Sequence, residues 1–358
     1  MQVAAEIAAG WREVAPDDTV ATRPLSDGGP GFLEVLEAAV GGRRFAVPTV
    51  DPLGRPVTGS VLVAGDGATA YVESAHACGL HLVAPGERDP RSATSYGLGT
   101  LVAAAVETGV RRVVIGLGGS ATNDAGAGML AALGAAPLDV AGYALPYGGA
   151  ALLGCVSLGG VPRLRDVTLV AATDVDNPLV GPHGASAVYG PQKGASPEDV
   201  ALLDAALRRF AGVLERALPT CPPHLAELPG GGAAGGLGAA ILALGGRCES
   251  GIGLVRAVTG LDAALDAADL VITGEGSFDH QSLRGKVVAG VAGAARERGL
   301  PCVVVAGRVT AGADEAAAAG VTEAHSLVEH FGSVEAAMSR TAEGLRAIGA
   351  RLAARWRG

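Results

Sequence analysis

The sequence predicts an α/β fold with two domains. Amphipathic helical segments alternate with short apolar strands along its 358 residues, which is the pattern of α/β proteins. Four of the predicted strands end in polar or glycine-rich loops, and open α/β sheets bind ligands at such strand ends. The length suits two domains of ordinary size, and the 49% of apolar residues suits a large core.

The individual elements follow from apolar periodicity and from Gly, Pro and Asp turn signals. Those of the first half are a helix over 3–15, a strand over 19–25, a helix over 31–40, several short strands between 43 and 74, a helix over 95–108, a buried strand over 111–117 and, after the loop 118–124, a helix to about 133. Those of the second half are a buried strand over 166–173, a charged helix over 197–218, a tight glycine-rich loop over 229–238 that enters a helix, a strand over 269–273, a helix over 285–298, strands over 302–306 and 324–328, and a final helix over 333–355.

Composition and charge argue against several classes of function. A formal net charge of −9 disfavours general binding to nucleic acid or to an anionic membrane. The first residues do not resemble a signal peptide, and no apolar run is long enough to span a membrane. Five scattered cysteines without metal-ligand spacing indicate reduced thiols and therefore a cytoplasmic location.

The rarest polar residues concentrate in glycine-rich loops. The chain has only two lysines, Lys193 and Lys286, and only two asparagines, Asn123 and Asn177. Arginine cannot replace a compact ammonium or a carboxamide where one is needed. The retention of these residues in an arginine-rich chain therefore indicates functional loops, and chance placement is the alternative.

The loop 118–124 joins a predicted strand to a helix. Its glycines let a ligand approach the backbone, its hydroxyl groups can donate hydrogen bonds, and the following helix N-terminus favours an anion. The candidate nucleotide-binding residues are Gly118, Gly119, Ser120, Thr122, Asn123 and Asp124. The alternative is a capped helix start, with Thr122 or Asn123 as the N-cap.

Two further loops carry charged side chains. Asp174 and Asp176 follow a buried strand, where they could hold Mg²⁺ through oxygen ligands or accept a proton from an attacking hydroxyl. The alternative is a turn stabilised by Asn177. Lys193, in the segment Gly-Pro-Gln-Lys-Gly, is either a positive charge for a phosphate or a solvated loop lysine.

A fourth segment, 274–286, places several reactive side chains in one strand-to-helix connection. Glu275 and Asp279 are candidates for metal binding or acid–base chemistry, whereas His280 is interpreted as an exposed loop residue. The sequence has no GxSxG elbow and therefore gives no indication of a serine nucleophile.

Three blocks of the sequence resemble the signature segments of the bacterial glycerate kinases. They are GLGGSATNDAGAGML at 116–130, TDVDNPLVGPHGASAVYGPQKGAS at 173–196 and ITGEGSFDHQSLRGK at 272–286, and PLSDGG at 24–29 resembles that family's first Asp-Gly-Gly block. The resemblance covers essentially the whole chain. It implies phosphorylation of D-glycerate by ATP with Mg²⁺, with 2-phosphoglycerate as the favoured product, and it allows a homodimer.

The resemblance also implies a domain organisation. One flavodoxin-like (Rossmann-like) domain would be built from both chain ends, 1–47 and 268–358, and an inserted mixed α/β domain would span 48–267, with the active site in the cleft between them. Family members open with a strand and an Ala-Pro-Asp-Ser-Phe-Lys type segment, whereas this chain starts at its first helix, so we expect that strand to be missing. Pro30 and Phe32 also depart from the family's Glu-Gly-Thr continuation, and Val288 stands where a proline is common.

Within these blocks, residue roles are inferred from side-chain chemistry. The 118–124 loop and Lys193 would hold phosphates, and Asp174 with Asp176 or Glu275 would hold Mg²⁺. Asp279 or Asp174 would accept the hydroxyl proton, and the sequence does not choose between them. The glycerate pocket would be lined by Asp27, Gly28 and Gly29, and the glycerate carboxylate would pair with Arg284 or Lys286.

Two alternative functions stay open. One is the same chemistry on another small sugar acid. The other is a non-catalytic relative that binds a metabolite or nucleotide and has lost its N-terminal segment.

Overall fold

A computed structural model of the protein describes residues 2–280, 282–283 and 287–356. The chain divides into two compact units. We call Met1–Leu25 with Val255–Gly358 the terminal unit, and Ser26–Leu254 the central unit.

Strands and helices alternate through the described residues. The strands are β1 (Arg43–Val50), β2 (Pro56–Val63), β3 (Thr69–Glu73), β4 (Arg112–Gly116), β5 (Ala136–Leu138), β6 (Ser157–Gly159), β7 (Thr168–Ala172), β8 (Arg247–Glu249), β9 (Val271–Phe278), β10 (Cys302–Val309) and β11 (Glu323–Ser326). The helices are α1 (Gln2–Val14), α2 (Phe32–Val40), α3 (Ala75–Cys78), α4 (Tyr96–Glu107), α5 (Ala127–Ala132), α6 (Ala185–Tyr189), α7 (Pro197–Ala217), α8 (Ala233–Ala243), α9 (Gly251–Thr259), α10 (Leu261–Asp266), α11 (Val287–Glu297), α12 (Ala313–Ala318), α13 (Leu327–Phe331), α14 (Val334–Ser339) and α15 (Thr341–Trp356).

The central unit is built on a six-stranded sheet with the order β1-β2-β3-β4-β7-β8. The pairs β1–β2 and β2–β3 are antiparallel, whereas β3, β4, β7 and β8 run parallel to one another. The carboxyl ends of the four parallel strands therefore lie at one edge of the sheet. A small antiparallel pair, β5–β6, stands apart from this sheet.

The core of the central unit surrounds strand β4. Val113, Val114 and Ile115 are fully buried, as expected for a parallel strand covered on both faces. Leu98 and Leu101 of α4 and Met129 of α5 belong to the same buried set. This core fixes the end of β4, and with it the loop that follows at Leu117.

The terminal unit is built on a parallel sheet with the order β11-β10-β9. Val288 and Val291 of α11 bury their side chains in a cluster with Val304 and Phe278 of the sheet. On a second cluster, Val303 and Val305 of β10 are buried together with side chains of α1 and α15, namely Ile7, Leu345, Ile348 and Leu352.

The predicted α/β class is confirmed, and most predicted elements are present within a few residues of their expected bounds. The strand predicted over 19–25 is wrong, because these described residues pair with no strand in the described part of the chain and a strand needs a partner for its backbone groups. The final helix predicted over 333–355 is two helices, since α14 ends at Ser339 and Arg340 leaves the helical conformation.

The boundaries of the compact units also differ from those expected. The sequence suggested 47 and 268, whereas the units divide after Leu25 and Leu254. The physical reason at the first boundary is that β1 pairs with β2 along its whole length, which ties 43–50 to the central sheet. Of the described helices, none is long and apolar enough to cross a membrane.

Candidate active site

Three loops of the central unit meet where β4 and β7 end. The Leu117 amide donates to the Ala172 carbonyl oxygen across 3.0 Å, which joins the two strand ends. Gly28 has a φ of +98°, and a Cβ built on it would lie 2.6 Å from the same carbonyl oxygen. A Cβ on Gly118 would lie 2.6 Å from Gly29 Cα. Only glycine allows this approach, so the predicted glycines serve first to pack the loops together.

Two carboxylates lie at this edge, both half-buried. Asp27 Oδ1 accepts from the Gly29 amide at 3.2 Å. Asp174 accepts from Ser250 Oγ at 2.6 Å and from the Ile252 amide at 2.9 Å. Ser250 follows β8, so three parallel strand ends contribute to the arrangement.

The environment of Asp174 favours its protonated form relative to a free aspartate. Burial is the main cause that raises its pKa, and the negative charge of Asp27 raises it further. The hydrogen bonds from Ser250 and from the backbone of Ile252 and Gly251 oppose this rise without cancelling it. The same bonds cap the first turn of α9, so Asp174 has a structural role.

The 118–124 loop is exposed at its start and buried at its end. Gly119 is exposed and Gly118 half-buried, whereas Thr122, Asn123 and Asp124 are fully buried. The prediction of nucleotide contact therefore depends on the two glycines, because the three buried side chains have no surface to offer to a ligand. Ser120, 5% exposed, is also buried.

Asp124 organises the loop from inside. Its Oδ2 accepts from the Ser95 amide at 2.9 Å, from Ser95 Oγ at 2.8 Å and from the Gly128 amide at 3.2 Å. Its Oδ1 accepts from the Gly126 amide at 3.1 Å. Burial raises the pKa of Asp124, and these donors partly offset that effect. This carboxyl ties the start of α4 to the start of α5.

Lys193 is not a solvated loop lysine. Its side chain is buried, and Nζ donates to Ser120 Oγ at 2.9 Å and to the Thr122 carbonyl oxygen at 2.7 Å. Burial lowers the pKa of Lys193 to about 7, and the charge of Asp124 counteracts part of that shift.

The loop that carries Asp176 is anchored through Asn177. Asn177 Nδ2 donates to the His183 carbonyl oxygen at 2.8 Å, and Tyr189 Oη donates to Asn177 Oδ1 at 2.7 Å. Asp176 itself is exposed. Asn123 likewise donates to Ser186 Oγ at 2.8 Å, so both asparagines of the chain hold loops in place.

The terminal unit carries Glu275 on β9 and Asp279 just after it. The Asp279 amide donates to Ser282 Oγ at 3.1 Å, and the Ser282 amide donates to Asp279 Oδ1 at 3.3 Å. His280 is exposed, as predicted. Arg284 and Lys286, the predicted partners of a substrate carboxylate, lie outside the described residues.

The described residues contain no group of three or more His, Cys, Asp or Glu side chains placed to hold a metal ion. The predicted ligands of the central unit, Asp174 and Asp176, nevertheless offer the carboxylate oxygens that Mg²⁺ prefers. Mg²⁺ commonly takes only one or two carboxylates from a protein and completes its shell with water and phosphate oxygens. The residues therefore fit a magnesium ion that is shared with a nucleotide.

Sequence reasoning missed Glu73 and Ser250. Glu73 ends β3, is buried, and accepts from the Gly31 and Leu33 amides at 3.3 and 3.2 Å, which fixes the start of α2. The available signals were a lone glutamate that ends an apolar strand, and a serine one residue before a helix.

The departure at Phe32 is accommodated in the fold. Phe32 is fully buried, and its ring meets Tyr71 edge-on with the ring centroids 6.3 Å apart. Gly116 lies against the same ring. Phe32 therefore belongs to the core under the loop 26–31.

The parallel strands and the polar loops at their carboxyl ends define an α/β enzyme with its candidate site at the sheet edge. The sequence profile of the glycerate kinase family matches residues 1–357. The chain belongs to the glycerate kinase family and is a phosphotransferase.

Individual relatives agree with this assignment. The chain is 42% identical to the glycerate 2-kinase of Escherichia coli K12 over 340 residues, which cover 94% of this chain and 88% of the relative. It is 40% identical to the glycerate kinase of Bacillus subtilis 168, over 96% of this chain and 90% of the relative. A crystal structure of a protein assigned as glycerate kinase 2 in Salmonella typhimurium LT2 is similar with a TM-score of 0.79 at 40% identity, over 99% of this chain and 94% of that one.

Proposed function

We propose that this protein transfers the γ-phosphoryl group of ATP to the 2-hydroxyl of D-glycerate, giving 2-phosphoglycerate and ADP. The observation that carries the proposal is the pair of carboxylates, Asp27 and Asp174, beside the half-buried Gly118 and the exposed Gly119 at the edge of the parallel sheet. Phosphoryl transfer requires positioning and charge stabilisation more than covalent chemistry from the protein. The family and the names of the relatives support glycerate as the acceptor.

Asp174 is proposed to accept the proton of the attacking hydroxyl. As the substrate oxygen bonds to the γ-phosphorus, the bond to the β-bridging oxygen breaks, ADP leaves, and the proton passes to the carboxylate. The raised pKa of Asp174 favours this transfer, because the protonated product state is less costly there than at a solvated aspartate. Ser250 and the Ile252 amide hold the carboxylate in position. Asp279, in the terminal unit, is the alternative proton acceptor.

The other roles follow the chemistry of each group. Gly118 and Gly119 are proposed to receive phosphate oxygens, and Asp27 with Gly28 and Gly29 to line the glycerate pocket. If Asp279 accepts the proton instead, Asp174 with Asp176 or Glu275 would hold Mg²⁺, which supplies positive charge to the phosphates. Arg284 or Lys286 would pair with the glycerate carboxylate.

We also infer a cytoplasmic location. This inference rests on the five cysteines, which are all free thiols in the structure.

A coupled assay of ADP release tests the proposed reaction. The protein is incubated with ATP, Mg²⁺ and either D-glycerate or a panel of other small sugar acids, and each reaction is repeated with EDTA. We expect D-glycerate to give the highest kcat/KM and EDTA to abolish turnover. A higher kcat/KM for another acid would show that the acceptor is wrong. No ADP release with any acceptor would favour the non-catalytic alternative.

A further inference from the structure

The side chain of Lys193 binds the loop that follows β4. Lys193 is 2% exposed, and its two hydrogen bonds go to the Ser120 hydroxyl and the Thr122 carbonyl oxygen. Taking an ammonium group out of water is costly unless nearby groups satisfy it. The loop oxygens and the nearby Asp124 carboxylate provide that compensation.

The segment that Lys193 binds is also held by other hydrogen bonds, among them the bond from Asn123 to Ser186. Its start is held by the bond from the Leu80 amide to the Gly119 carbonyl oxygen, 2.7 Å, and by the Ala121 amide, which donates to the Cys78 carbonyl oxygen at 2.7 Å. Its end is held by Asp124. Lys193 contacts the stretch between these anchors, so its loss would leave the Ser120 side chain and the Thr122 carbonyl without their charged donor.

The backbone that presents Lys193 is itself firmly placed. Lys193 ends a short 3-10 turn, Pro191–Lys193, that directly follows α6. Three residues later Ser196 begins α7 with a capping box, in which Ser196 and Asp199 satisfy each other's backbone amides at 3.1 and 3.0 Å. The backbone that carries Lys193 is therefore held in part by hydrogen bonds of its own.

We propose that Lys193 is a positioning residue: it holds the 118–124 loop from inside the protein so that Gly118 and Gly119 stay at the strand edge, and it does not itself bind a phosphate. This replaces the expectation of a phosphate contact. The link to catalysis rests on the proposed function of the loop, whereas the structural role does not.

Hydrogen exchange of the ligand-free protein separates the two roles. In Lys193→Met we expect the amides of residues 119–126 to exchange at least about tenfold faster, while the amides of α7 away from the substitution keep their rates. Arg208→Met, which removes an exposed cation from α7, is the matched control and should leave the loop unchanged. If Lys193 served only to bind a phosphate, its replacement would not change exchange in the loop while ATP is absent. Unchanged exchange in Lys193→Met, with a raised KM for ATP, would overturn the proposal.

Two further variants keep the test decisive. Lys193→Arg should show the same loss of loop protection and kcat as Lys193→Met, because the longer guanidinium does not fit the buried site. If residue 193 bound a phosphate, the arginine would instead preserve ATP binding. If Lys193→Met does not fold, Ser120→Ala removes one acceptor and should still raise exchange at the same amides about threefold or more; no change there would contradict the proposal. Because exchange is measured without substrate, faster loop exchange in Lys193→Met together with no kinase activity of the wild-type protein would contradict the proposed function and still support the positioning role.

Discussion

Replacing Gly28 with alanine tests whether the close approach of the 26–31 loop to β7 builds the candidate site. A Cβ at Gly28 would lie 2.6 Å from the Ala172 carbonyl oxygen, so one of the two must move. Gly31, in the same loop, has a similar φ of +91° but has no atom within 4 Å of a built Cβ. The left-handed backbone costs an alanine roughly 1–2 kcal/mol at either position. Overpacking adds about 1–3 kcal/mol at Gly28 alone.

Urea unfolding of Gly28→Ala and Gly31→Ala measures this difference. Circular dichroism follows the whole chain, while the two tryptophans, Trp11 and Trp356, both lie in the terminal unit and report on it separately. We expect Gly28→Ala to lose about 1–3 kcal/mol more than Gly31→Ala and to show the larger fall in kcat/KM for glycerate, with the tryptophan signal little changed in both. Equal losses of stability and activity in the two variants would refute the packing argument.

Two further predictions concern charged groups. Asp174→Asn and Asp279→Asn should each lower kcat at least about a hundredfold in the ADP-release assay, while circular dichroism shows a retained fold. A near-normal kcat with unchanged Mg²⁺ dependence would show that the role proposed for that residue is wrong. The folded-state pKa of Lys193, about 7, lies below its unfolded value, so the unfolded chain binds more protons between about pH 7 and pH 10. The stability of the wild type relative to Lys193→Met should therefore rise with pH through that window, by at most about 1.4 kcal/mol per pH unit. With only two lysines in the chain, carbon NMR of labelled lysine can follow the titration of Lys193 directly, and a midpoint near 10 would contradict the effect of burial.

The parts of the fold that the sequence predicted well are those with a local signal. Strands β4 and β7 are continuous apolar runs bounded by turn residues, and such runs indicate buried parallel strands without knowledge of their partners. The stretch 19–25 is less apolar, since it contains Arg23 and Pro24, and it has no partner strand among the described residues. Whether a segment becomes a strand depends on pairing with another strand, and composition alone does not predict that pairing.

In the candidate site, too, local features could be predicted from the sequence, whereas contacts between distant segments could not. The loops of Asp27, 118–124 and Asp174 could be identified because each follows a predicted strand and carries glycine or rare polar residues. The burial of Lys193 could not be predicted from the sequence, because its partner Ser120 lies 73 residues away and a lone lysine in a glycine-rich loop is most simply interpreted as solvated. The support that Glu73 gives to α2 is equally distant in sequence, since Glu73 and Leu33 are 40 residues apart.

Phosphorus NMR of the reaction mixture tests the central claim most directly. The protein is incubated with ATP, Mg²⁺ and D-glycerate, and the spectrum is recorded with proton coupling retained. The proposed reaction predicts ADP and a new phosphomonoester in equal amounts, with the ester signal split into a doublet by the single proton on carbon 2. A triplet, from the two protons on carbon 3, would contradict the proposed position of transfer. ATP unchanged, or converted to ADP and inorganic phosphate without an ester, would contradict the assignment as a glycerate kinase.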